Sequence, residues 1–398
     1  MLPATLRLDP EPLTADYLQQ FEGQERPKIL NQIISPEQFF EFENVGQHIE
    51  DLETPVPLID FDIMLANLQR WQSHCNRLGL ANRPHIKTHK LVPIARLQIA
   101  LGAKGICVQK LGEAEVMADA GITDQLLTFN VVGRNKLEGL ANLMRRTDIT
   151  VVADSAELLS GLGYAAQRAG RVLEVLVECD TGMGRNGAQT PAAAIELAKQ
   201  IDAALGLKFG GLMTYPPAFA RARVATFIAE AKHGLAKSGL DCARVSSGGS
   251  EDLWDESGLE EVTEYRVGTY IYNDRSLVAA GACGFTDCAE TVLATIVSTP
   301  TKERAIIDAG SKALTSDLLG LEGYGVVQDL GMARIYNVNE EHGYLDTSAA
   351  SRSLRVGERL RITMNHTCPV NNLFDKVVFV RGQRVLGAVK VDARGKVQ

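Results

Sequence analysis

Short apolar runs alternate with longer amphipathic segments from about residue 56 to residue 250. Each run is rich in β-branched residues and ends at polar or glycine-rich positions, as buried parallel strands followed by helices do. The eight runs are VPLIDF (56–61), RPHIKT (83–88), GICVQKL (105–111), LLTFNVV (126–132), ITVVADS (149–155), LEVLVECDTG (173–182), FGGLMTYP (209–216) and ARVSSGGS (243–250). Eight strand–helix alternations predict a (β/α)8 barrel. An open doubly wound sheet would need a glycine-rich turn after its first strand, and VPLIDFDIML has none.

The pattern changes at about residue 285, where strand-like segments follow one another with turn signals and little helix between them. This pattern of strands and turns predicts a second, all-β domain over residues 285–398, after a barrel domain over residues 51–284. Residues 1–50 are polar and interrupted by prolines, which indicates an N-terminal extension and not a domain.

Bulk properties narrow the class of protein. The formal net charge of −8 argues against nucleic acid or an anionic membrane as the main partner. The seven cysteines form no disulfide framework and no C-x-x-C pair, which indicates reduced thiols in the cytoplasm. The N-terminus lacks the pattern of a signal peptide, and no apolar run approaches the roughly 18 residues that a membrane span needs. We therefore expect a soluble cytoplasmic protein.

The stretch RPHIKTHK, residues 83–90, concentrates cationic and imidazole side chains at the end of a predicted barrel strand. Active sites of (β/α)8 barrels lie at that end. Along an extended segment His85, Lys87 and His89 would share one face, which favours a site over a solvated loop. A lysine beside other cations loses proton affinity, and a neutral amine is what imine formation requires.

Glycine-rich loops end three later segments of the barrel. They are CDTGMGRNG (179–187), SSGGS (246–250) and RVGTYIYND (266–274). Such loops let backbone N–H groups approach an anion closely, and phosphate sites of barrels often lie late in the chain. Any one of these loops alone would more often be a tight turn. Together with an imine-forming lysine they suggest pyridoxal 5′-phosphate.

Seven motifs taken together resemble the D-threonine aldolase and D-serine dehydratase family. They are RPHIKTHK, KLGEAEVMADAG, CDTGMGRNG, GLMTY, SSGGS, DAGSKALTSD and MNHTCPVNNLFD. The resemblance runs from about Leu52 to the C-terminus. The resemblance implies an alanine racemase-type barrel with a β domain and a pyridoxal phosphate-dependent lyase. It also implies a homodimer, since relatives of this fold build their active sites between two subunits.

The resemblance also implies roles for individual residues. Lys87 looks like the Schiff-base lysine, and Arg185 resembles the residue that contacts the phenolic oxygen of the cofactor. Tyr215 falls where the family places a tyrosine beside the pyridine nitrogen, and Arg266 is a rival for that position. The residues that resemble the phosphate cradle are Gly248, Gly249, Ser250, Gly268 and Thr269.

His366 and Cys368 lie two residues apart in a strand-like run, so period two predicts that both side chains are on one face. Imidazole and thiolate are suitable ligands for zinc or another divalent metal. A bare His-x-Cys is more often a buried cysteine beside a hydrogen-bonded histidine. The resemblance reverses that preference and implies a pair that binds Zn, Mn or Mg, with water and substrate completing the shell.

Two outcomes stay open for a D-3-hydroxy amino acid substrate. Retro-aldol cleavage gives glycine and an aldehyde and is the preferred reading, whereas dehydration gives a 2-oxo acid and ammonia. Two departures from the aldolase pattern favour dehydration: Tyr215 is followed by Arg221 and Arg223 with no histidine, and the metal pair contains Cys368 in place of the aspartate of some aldolases. A hydroxide held by the metal, His85 or His89 remain candidates for the base on the β-hydroxyl.

Two other classes of function are weaker. An amino-acid racemase needs a second base, for which Tyr324 or Tyr344 of a partner subunit is available, but it has no use for the metal pair. A non-catalytic pyridoxal phosphate carrier would need only the barrel, whereas this chain adds a second domain of about 110 residues.

Overall fold

The computed structural model describes residues 39–40, 42–43, 45–348, 350 and 352–398. Most of the predicted N-terminal extension, residues 1–50, therefore lies outside the described residues. Two of its described residues, Glu43 and His48, form antiparallel bridges with Ala388 and Arg384. No helix among the described residues combines the length and the apolarity that a membrane crossing requires.

Eight parallel strands form the barrel, in the spatial order β2-β9-β8-β7-β6-β5-β4-β3. They are β2 (Ala81–Asn82), β3 (Ile106–Val108), β4 (Asp124–Leu127), β5 (Asp148–Ala153), β6 (Leu173–Cys179), β7 (Leu207–Thr214), β8 (Val245–Gly248) and β9 (Glu264–Arg266). A parallel bridge between His85 and Cys107 joins the two ends of this order just beyond β2. The sequence correctly predicted an eight-stranded parallel barrel.

Helices follow most of the barrel strands. They are α1 (Phe61–Leu78), α2 (Val92–Ala100), α3 (Leu111–Asp119), α4 (Arg134–Met144), α5 (Leu159–Ala169), α6 (Pro191–Ala203), α7 (Arg221–Lys237) and α8 (Arg275–Ala279). Helix α1 shows how local sequence sets their ends. The side chain of Asp60 accepts hydrogen bonds from the N–H groups of Asp62 and Ile63, and Gly79 ends the helix at φ 67°.

The second domain is antiparallel and adjoins the barrel. Its strands are β10 (Glu290–Thr301), β11 (Arg304–Ile307), β12 (Gly325–Val327), β13 (Ala333–Val338), β14 (Gly343–Asp346), β15 (Arg359–Met364), β16 (Lys376–Arg381) and β17 (Arg384–Lys390), with short helices α9 (Ser311–Leu314) and α10 (Thr367–Leu373). Because β10 pairs with both β11 and β15, the six strands β10 to β15 close into a ring. The prediction of a β domain in this part of the chain agrees with these strands.

The prediction that VPLIDF forms the first strand of the barrel is wrong. The corresponding strand β1 (Val56–Asp60) pairs antiparallel with β10 and parallel with β16, in the sheet of the second domain. Leu58 packs in a small cluster with Leu293 and Val378, whereas Ile59 joins the main core. Since both faces of β1 are apolar, its sequence has the same pattern as a buried barrel strand.

The interior of the barrel is layered. At its amino-terminal end Arg244 lies 3.1 Å from Glu174 and 3.2 Å from Glu264, and the three side chains form a partly buried charged layer. Above it is an apolar layer composed of Leu126, Val152, Leu176 and Met213. This apolar layer separates the charged layer from the carboxyl ends of the strands, where a cavity opens.

Candidate active site

A cavity of about 570 Å³ lies at the carboxyl ends of the barrel strands, and the start of α10 in the second domain forms part of its wall. Of the thirteen residues predicted for the site, the cavity is lined by His85, Lys87, Arg185, Tyr215, Gly249, Ser250, Arg266, Gly268, Thr269, His366 and Cys368. Gly248 lies directly behind this lining, and His89 is turned away from it. Residues from two domains, more than 280 positions apart, thus share one enclosed space.

Lys87 lies in a turn just after β2 and is half-buried. Within the described part of the chain its ammonium group makes no hydrogen bond or ion pair. Its backbone N–H lies 3.4 Å from Nδ1 of His85, and Nε2 of His85 lies 3.1 Å from Oε1 of Gln109. Burial lowers the pKa of His85 well below its usual value, and the charges of Lys87 and Arg266 lower it further. The amine of Lys87 therefore faces the cavity beside a neutral imidazole.

The prediction that His89 shares a face with His85 and Lys87 is wrong. The N–H groups of His89 and Lys90 both bond to the carbonyl of Ile86, at 3.1 and 2.7 Å, so this segment turns and is not extended. His89 is buried, with Nδ1 3.0 Å from the N–H of Leu91 and Nε2 3.3 Å from Gln98. Burial lowers its pKa to about 3. His89 is a neutral core residue and does not face the cavity.

The glycine-rich ends of β8 and β9 bring backbone close to the cavity. A Cβ added at Gly248 would lie 2.3 Å from the carbonyl of Arg266, and one at Gly268 would lie 2.5 Å from Oγ1 of Thr88. Gly249 has φ +135°, a conformation that other residues rarely adopt. Ser250 and Thr269 add hydroxyl groups to the same side of the cavity. The arrangement can present several N–H and O–H donors to an anion.

Arg266 and Tyr215 form the part of the site that reaches into the barrel. Arg266 is buried, and its guanidinium donates to Oγ of Ser246 at 2.9 Å and to the carbonyl of Thr214 at 2.6 Å. Burial raises the pKa of Tyr215, and the charge of Glu251 raises it further, so its phenol keeps its proton. The structure brings both rivals for the pyridine nitrogen to the cavity.

Glu178 is a cavity residue that the sequence reasoning missed. It ends β6, and its carboxylate lies 3.9 Å from the guanidinium of Arg185, which in turn stacks 5.2 Å from the ring centre of Tyr215. Oε2 of Glu178 is buried and has no hydrogen-bond partner within the described residues. The signal was present in LEVLVEC: alternation along β6 puts Glu174, Leu176 and Glu178 on the inward face.

We expect Glu178 to make the stability of the fold depend on pH. Burial raises the pKa of its carboxyl from 4.5 to about 7, although Arg185 opposes the shift. Since the folded chain binds this proton more tightly than the unfolded chain, raising the pH from about 4.5 to about 7 should destabilise the fold by up to about 3 kcal/mol.

We therefore expect Glu178→Gln to remove this loss. Urea unfolding of cofactor-free wild type and variant at pH 5 and pH 8 measures it: the wild type should lose stability relative to the variant as the pH rises. If the free energy of unfolding changed with pH by the same amount in both proteins, the prediction would be contradicted.

The sequence predicts that His366 and Cys368 lie within one strand. In the structure they lie instead at the junction between a strand and a helix. Strand β15 ends at Met364, and His366 is the residue that precedes α10. Sγ of Cys368 lies 3.2 Å from Oγ1 of Thr88 and 3.7 Å from Oγ1 of Thr269, both of which belong to the barrel. Both side chains nevertheless line the cavity.

Each of the two side chains shifts the pKa of the other. Burial alone would lower the pKa of His366, but the Cys368 thiolate and the Asp274 carboxylate raise it to about 11. Burial would raise the pKa of Cys368, but His366 and Lys87 lower it. Nδ1 of His366 lies 2.9 Å from Oδ2 of Asp274, so Nε2 is the nitrogen left for a ligand in the cavity. No group of three or more His, Cys, Asp or Glu side chains in the described residues is placed to hold a metal, so a metal here would have an open shell.

The arginines that follow Tyr215 do not replace the missing histidine. Arg221 is buried outside the cavity, where it donates to Tyr265 at 2.9 Å and to the carbonyl of Asp252 at 2.6 Å. Arg223 lies beside Gly182 and is also absent from the cavity lining.

Comparison with known proteins covers both domains. The family profile described as alanine racemase, N-terminal domain, matches residues 59–276, and the one described as a putative serine dehydratase domain matches residues 289–380. The structure superposes on the crystal structure of D-threonine aldolase from Filomicrobium marinum with a TM-score of 0.83 and 32% sequence identity, covering 90% of this chain and 100% of the other.

Two curated relatives are similar over nearly their whole length. The chain is 33% identical over 364 residues to a D-threonine aldolase of an Arthrobacter species, covering 88% of this chain and 95% of that protein. It is also 33% identical over 356 residues to a D-threo-3-hydroxyaspartate dehydratase of Delftia sp. strain HT23, covering 81% of this chain and 93% of that protein.

Proposed function

Because the chain belongs to the family of D-threonine aldolases and D-serine dehydratases, we propose that it is a pyridoxal 5′-phosphate-dependent lyase that cleaves D-3-hydroxy amino acids. The observation that supports this most is the shared cavity, where the amine of Lys87 and the His366–Cys368 pair open onto the same space. A racemase would have no use for that pair, and a cofactor carrier would not need the second domain.

The residues present fit the cofactor. Gly248 and Gly268 leave no room for a Cβ, and Gly249 has a backbone conformation that other residues rarely adopt. Ser250 and Thr269 add hydroxyl donors for the phosphate. Lys87 would hold the cofactor covalently through an amine that makes no hydrogen bond or ion pair with the described residues. When bound, pyridoxal phosphate supplies a conjugated ring that accepts the electrons of a bond broken at Cα.

Arg185 would hold the phenolic oxygen of the cofactor, and Glu178 stands behind Arg185 as its counter-charge. At the pyridine nitrogen either Tyr215 or Arg266 would be the partner, and neither is the carboxylate that stabilises a fully protonated ring. These residues would therefore keep the electron sink moderate, which limits side reactions of the carbanion.

His366 and Cys368 also fit a divalent metal, and their nitrogen and sulfur donors suit Zn²⁺ better than Mg²⁺. Two ligands leave open positions for water and for the substrate's β-hydroxyl or carboxylate. Bound there, the metal would polarise the β-hydroxyl.

The chain's own residues then decide where protons go. Cleavage of Cα–Cβ needs a base on the β-hydroxyl and an acid at Cα, whereas dehydration needs a base at Cα. Once the substrate's amine takes its place, Nζ of Lys87 is the amine that can serve Cα in either route. His85 is the remaining histidine candidate for the hydroxyl proton, because it lines the cavity and His89 does not. Of the two routes, retro-aldol cleavage is the one that we propose first.

Dehydration to a 2-oxo acid and ammonia is the second reading, and one observation favours it. No basic side chain occupies the place after Tyr215 where many aldolases carry a histidine, since Arg221 is bonded to Asp252 and Tyr265 instead. A product assay decides between the two. The protein is incubated with pyridoxal phosphate and Zn²⁺ or Mn²⁺ on D-threonine and on D-serine. Glycine with acetaldehyde supports the aldolase, 2-oxo acid with ammonia supports the dehydratase, and neither product rejects both.

Asp274 should control metal affinity through His366. Its carboxylate is buried and orients the imidazole by accepting from Nδ1. We expect Asp274→Asn to weaken metal binding about 10- to 100-fold. Asparagine retains the cap on α8, where Asp274 accepts from the N–H of Leu277, so the fold should be kept.

Titration of the metal against a chelator gives the affinity, and the visible spectrum of the Co²⁺-loaded protein reports the ligand geometry. Asp287→Asn is the matched control, because Asp287 pairs with Arg70 outside the cavity. Equal metal affinities of the Asp274 variant and wild type would contradict this role.

We further propose a homodimer in the cytoplasm. Exposed apolar side chains, among them Met183 and the cavity residue Leu319, support burial against a second copy. All seven cysteines are free, in keeping with a reducing compartment. Light scattering coupled to gel filtration tests the dimer.

A further inference from the structure

We propose that Ser246 is a positioning residue for the cofactor, because its hydroxyl connects the buried carboxylate of Glu264 to the guanidinium of Arg266. The contact would act on the ring nitrogen of pyridoxal phosphate, so the inference rests on the proposed function. Arg266, and not Tyr215, would then meet that nitrogen. Ser246, Glu264 and Arg266 lie on the neighbouring strands β8 and β9, and all three side chains are buried.

The hydrogen bonds between these three residues have a fixed direction. Nε of a guanidinium always carries a hydrogen, so Arg266 donates to Oγ of Ser246, at 2.9 Å. The hydroxyl of Ser246 has a single hydrogen, which it donates to Oε1 of Glu264 at 2.7 Å. The carboxylate therefore polarises the hydroxyl and makes it a better acceptor for Arg266.

Glu264 is itself held firmly in the charged layer at the amino-terminal end of the barrel. Its carboxylate lies 2.7 Å from Nε of Arg83 and 3.2 Å from Nη2 of Arg244. Burial would raise the pKa of Glu264, but the two arginines lower it below its usual value, so the carboxylate stays ionised. Ser246 lies beside Met213 of the apolar layer, and its hydroxyl thus gives the charged layer a polar contact with the cavity side.

Two of the three guanidinium nitrogens of Arg266 are fixed in this way. Nε is bonded to Ser246, and Nη2 donates to the carbonyl of Thr214 at 2.6 Å. With the described residues Nη1 makes no hydrogen bond, although Arg266 lines the cavity. Nη1 is therefore the nitrogen that a ligand in the cavity would meet. Because a guanidinium can only donate, the ring nitrogen opposite it would be the acceptor.

Tyr215, the rival for the ring nitrogen, is held less firmly. Its ring centre lies 5.2 Å from the guanidinium of Arg185, the residue proposed for the phenolic oxygen. No hydrogen bond within the described chain fixes the direction of its hydroxyl. A guanidinium that is already held at two nitrogens loses little freedom when it binds the ring, whereas an untethered phenol must first be ordered.

The test compares two cofactors, pyridoxal phosphate and the analogue in which a C–H group replaces the ring nitrogen. The ratio of their dissociation constants reports the contact at that nitrogen, because the two molecules share every other group. Wild type should prefer pyridoxal phosphate, and Ser246→Ala should reduce this preference at least about 10-fold. Titration of cofactor-free protein, followed by the absorbance of the bound cofactor, gives both constants.

Ser247→Ala is the matched control, since Ser247 is also buried, but alternation along β8 turns it to the other face, outside the cavity lining. A general loss of stability would weaken the binding of both cofactors and leave the ratio unchanged. An unchanged ratio in the Ser246 variant, or the same loss in the Ser247 variant, overturns the inference. So does a preference that Tyr215→Phe removes and Ser246→Ala does not.

A second variant shows whether Ser246 acts through Arg266. Arg266→Lys leaves Ser246 in place but has one nitrogen, which cannot reproduce the fixed fork of a guanidinium. We expect this variant to reduce the preference by itself, and the double variant to reduce it no further. Additive losses would show that Ser246 acts by another route, and they would overturn its role.

Product formation separates this inference from the proposed function. Lyase products, together with a preference that Ser246→Ala leaves unchanged, would overturn the inference and keep the function. Absence of lyase products on every D-3-hydroxy amino acid, together with the loss of preference in the Ser246 variant, would reject the function and keep the inference.

Discussion

Lys87→Ala is expected to lower kcat/KM on the best D-3-hydroxy amino acid by at least about 10³-fold and to abolish covalent attachment of pyridoxal phosphate. Lys87 presents the cavity with an amine that has no hydrogen bond or ion pair in the described chain. Among the residues that the structure describes, no other lysine lines the cavity. The variant should therefore lose both the attachment point and the group that serves Cα.

Borohydride reduction followed by peptide mass spectrometry measures the attachment directly. Wild type should carry the reduced cofactor on the peptide that contains Lys87, and the variant should carry none. Lys110→Ala is the matched control, because Lys110 follows the next barrel strand but lies over the ring of Phe129, outside the lining. Covalently bound cofactor in the Lys87 variant, or its loss in the Lys110 variant, would reassign the attachment site.

Cys368→Ala is expected to remove the metal and to lower kcat/KM about 10²- to 10³-fold, with pyridoxal phosphate still bound. The thiolate is one of the two proposed protein ligands, so its removal would leave His366 alone. The proposed cofactor cradle is built from β8, β9 and the turn after β2, where Thr88 and Thr269 contact the thiol only through their hydroxyl groups. This separation of effects distinguishes a metal ligand from a residue that only supports the cavity.

Metal content by mass spectrometry and the absorbance of bound pyridoxal phosphate report the two effects separately. Cys368→Asp should recover part of the metal content, since a carboxylate is also a competent ligand. Cys283→Ala is the control, because Cys283 is a free thiol outside the cavity. Full activity of Cys368→Ala without metal would show that the reaction proceeds without this pair.

The motifs at the strand ends predicted most of the residues that line the cavity, because few backbone conformations are compatible with their glycines. Gly249 has a conformation that other residues rarely adopt, and Gly248 and Gly268 have no space for a Cβ. Their spacing along the chain therefore indicates a backbone shape. Lys87 and Tyr215 were predictable for a related reason, since Tyr215 directly follows β7, Lys87 lies in the turn after β2, and both strands end at the same face of the barrel.

The errors have physical causes too. Strand β1 is apolar on both faces because it is covered by two different clusters, and no local signal separates that from a barrel interior. The hydrophobic pattern does not indicate strand β9, because its inward residues, Glu264 and Arg266, are charged. Both residues find their partners only inside the closed barrel. His89 was misplaced because the turn at Ile86 depends on hydrogen bonds that the alternating pattern does not record.

The position of β1 also sets an order of events during synthesis. Asp60 pairs with Val380, so about 320 further residues must be made before this pairing can form, which takes on the order of 15 to 60 s at usual ribosomal rates. The barrel strands emerge within that interval and can assemble first. Throughout it, β1 leaves the ribosome with two apolar faces and an unpaired edge, a template for contact with neighbouring nascent chains. A chain that stops short of β16 would keep that edge open, so the last segments to be made are the ones that protect one of the first.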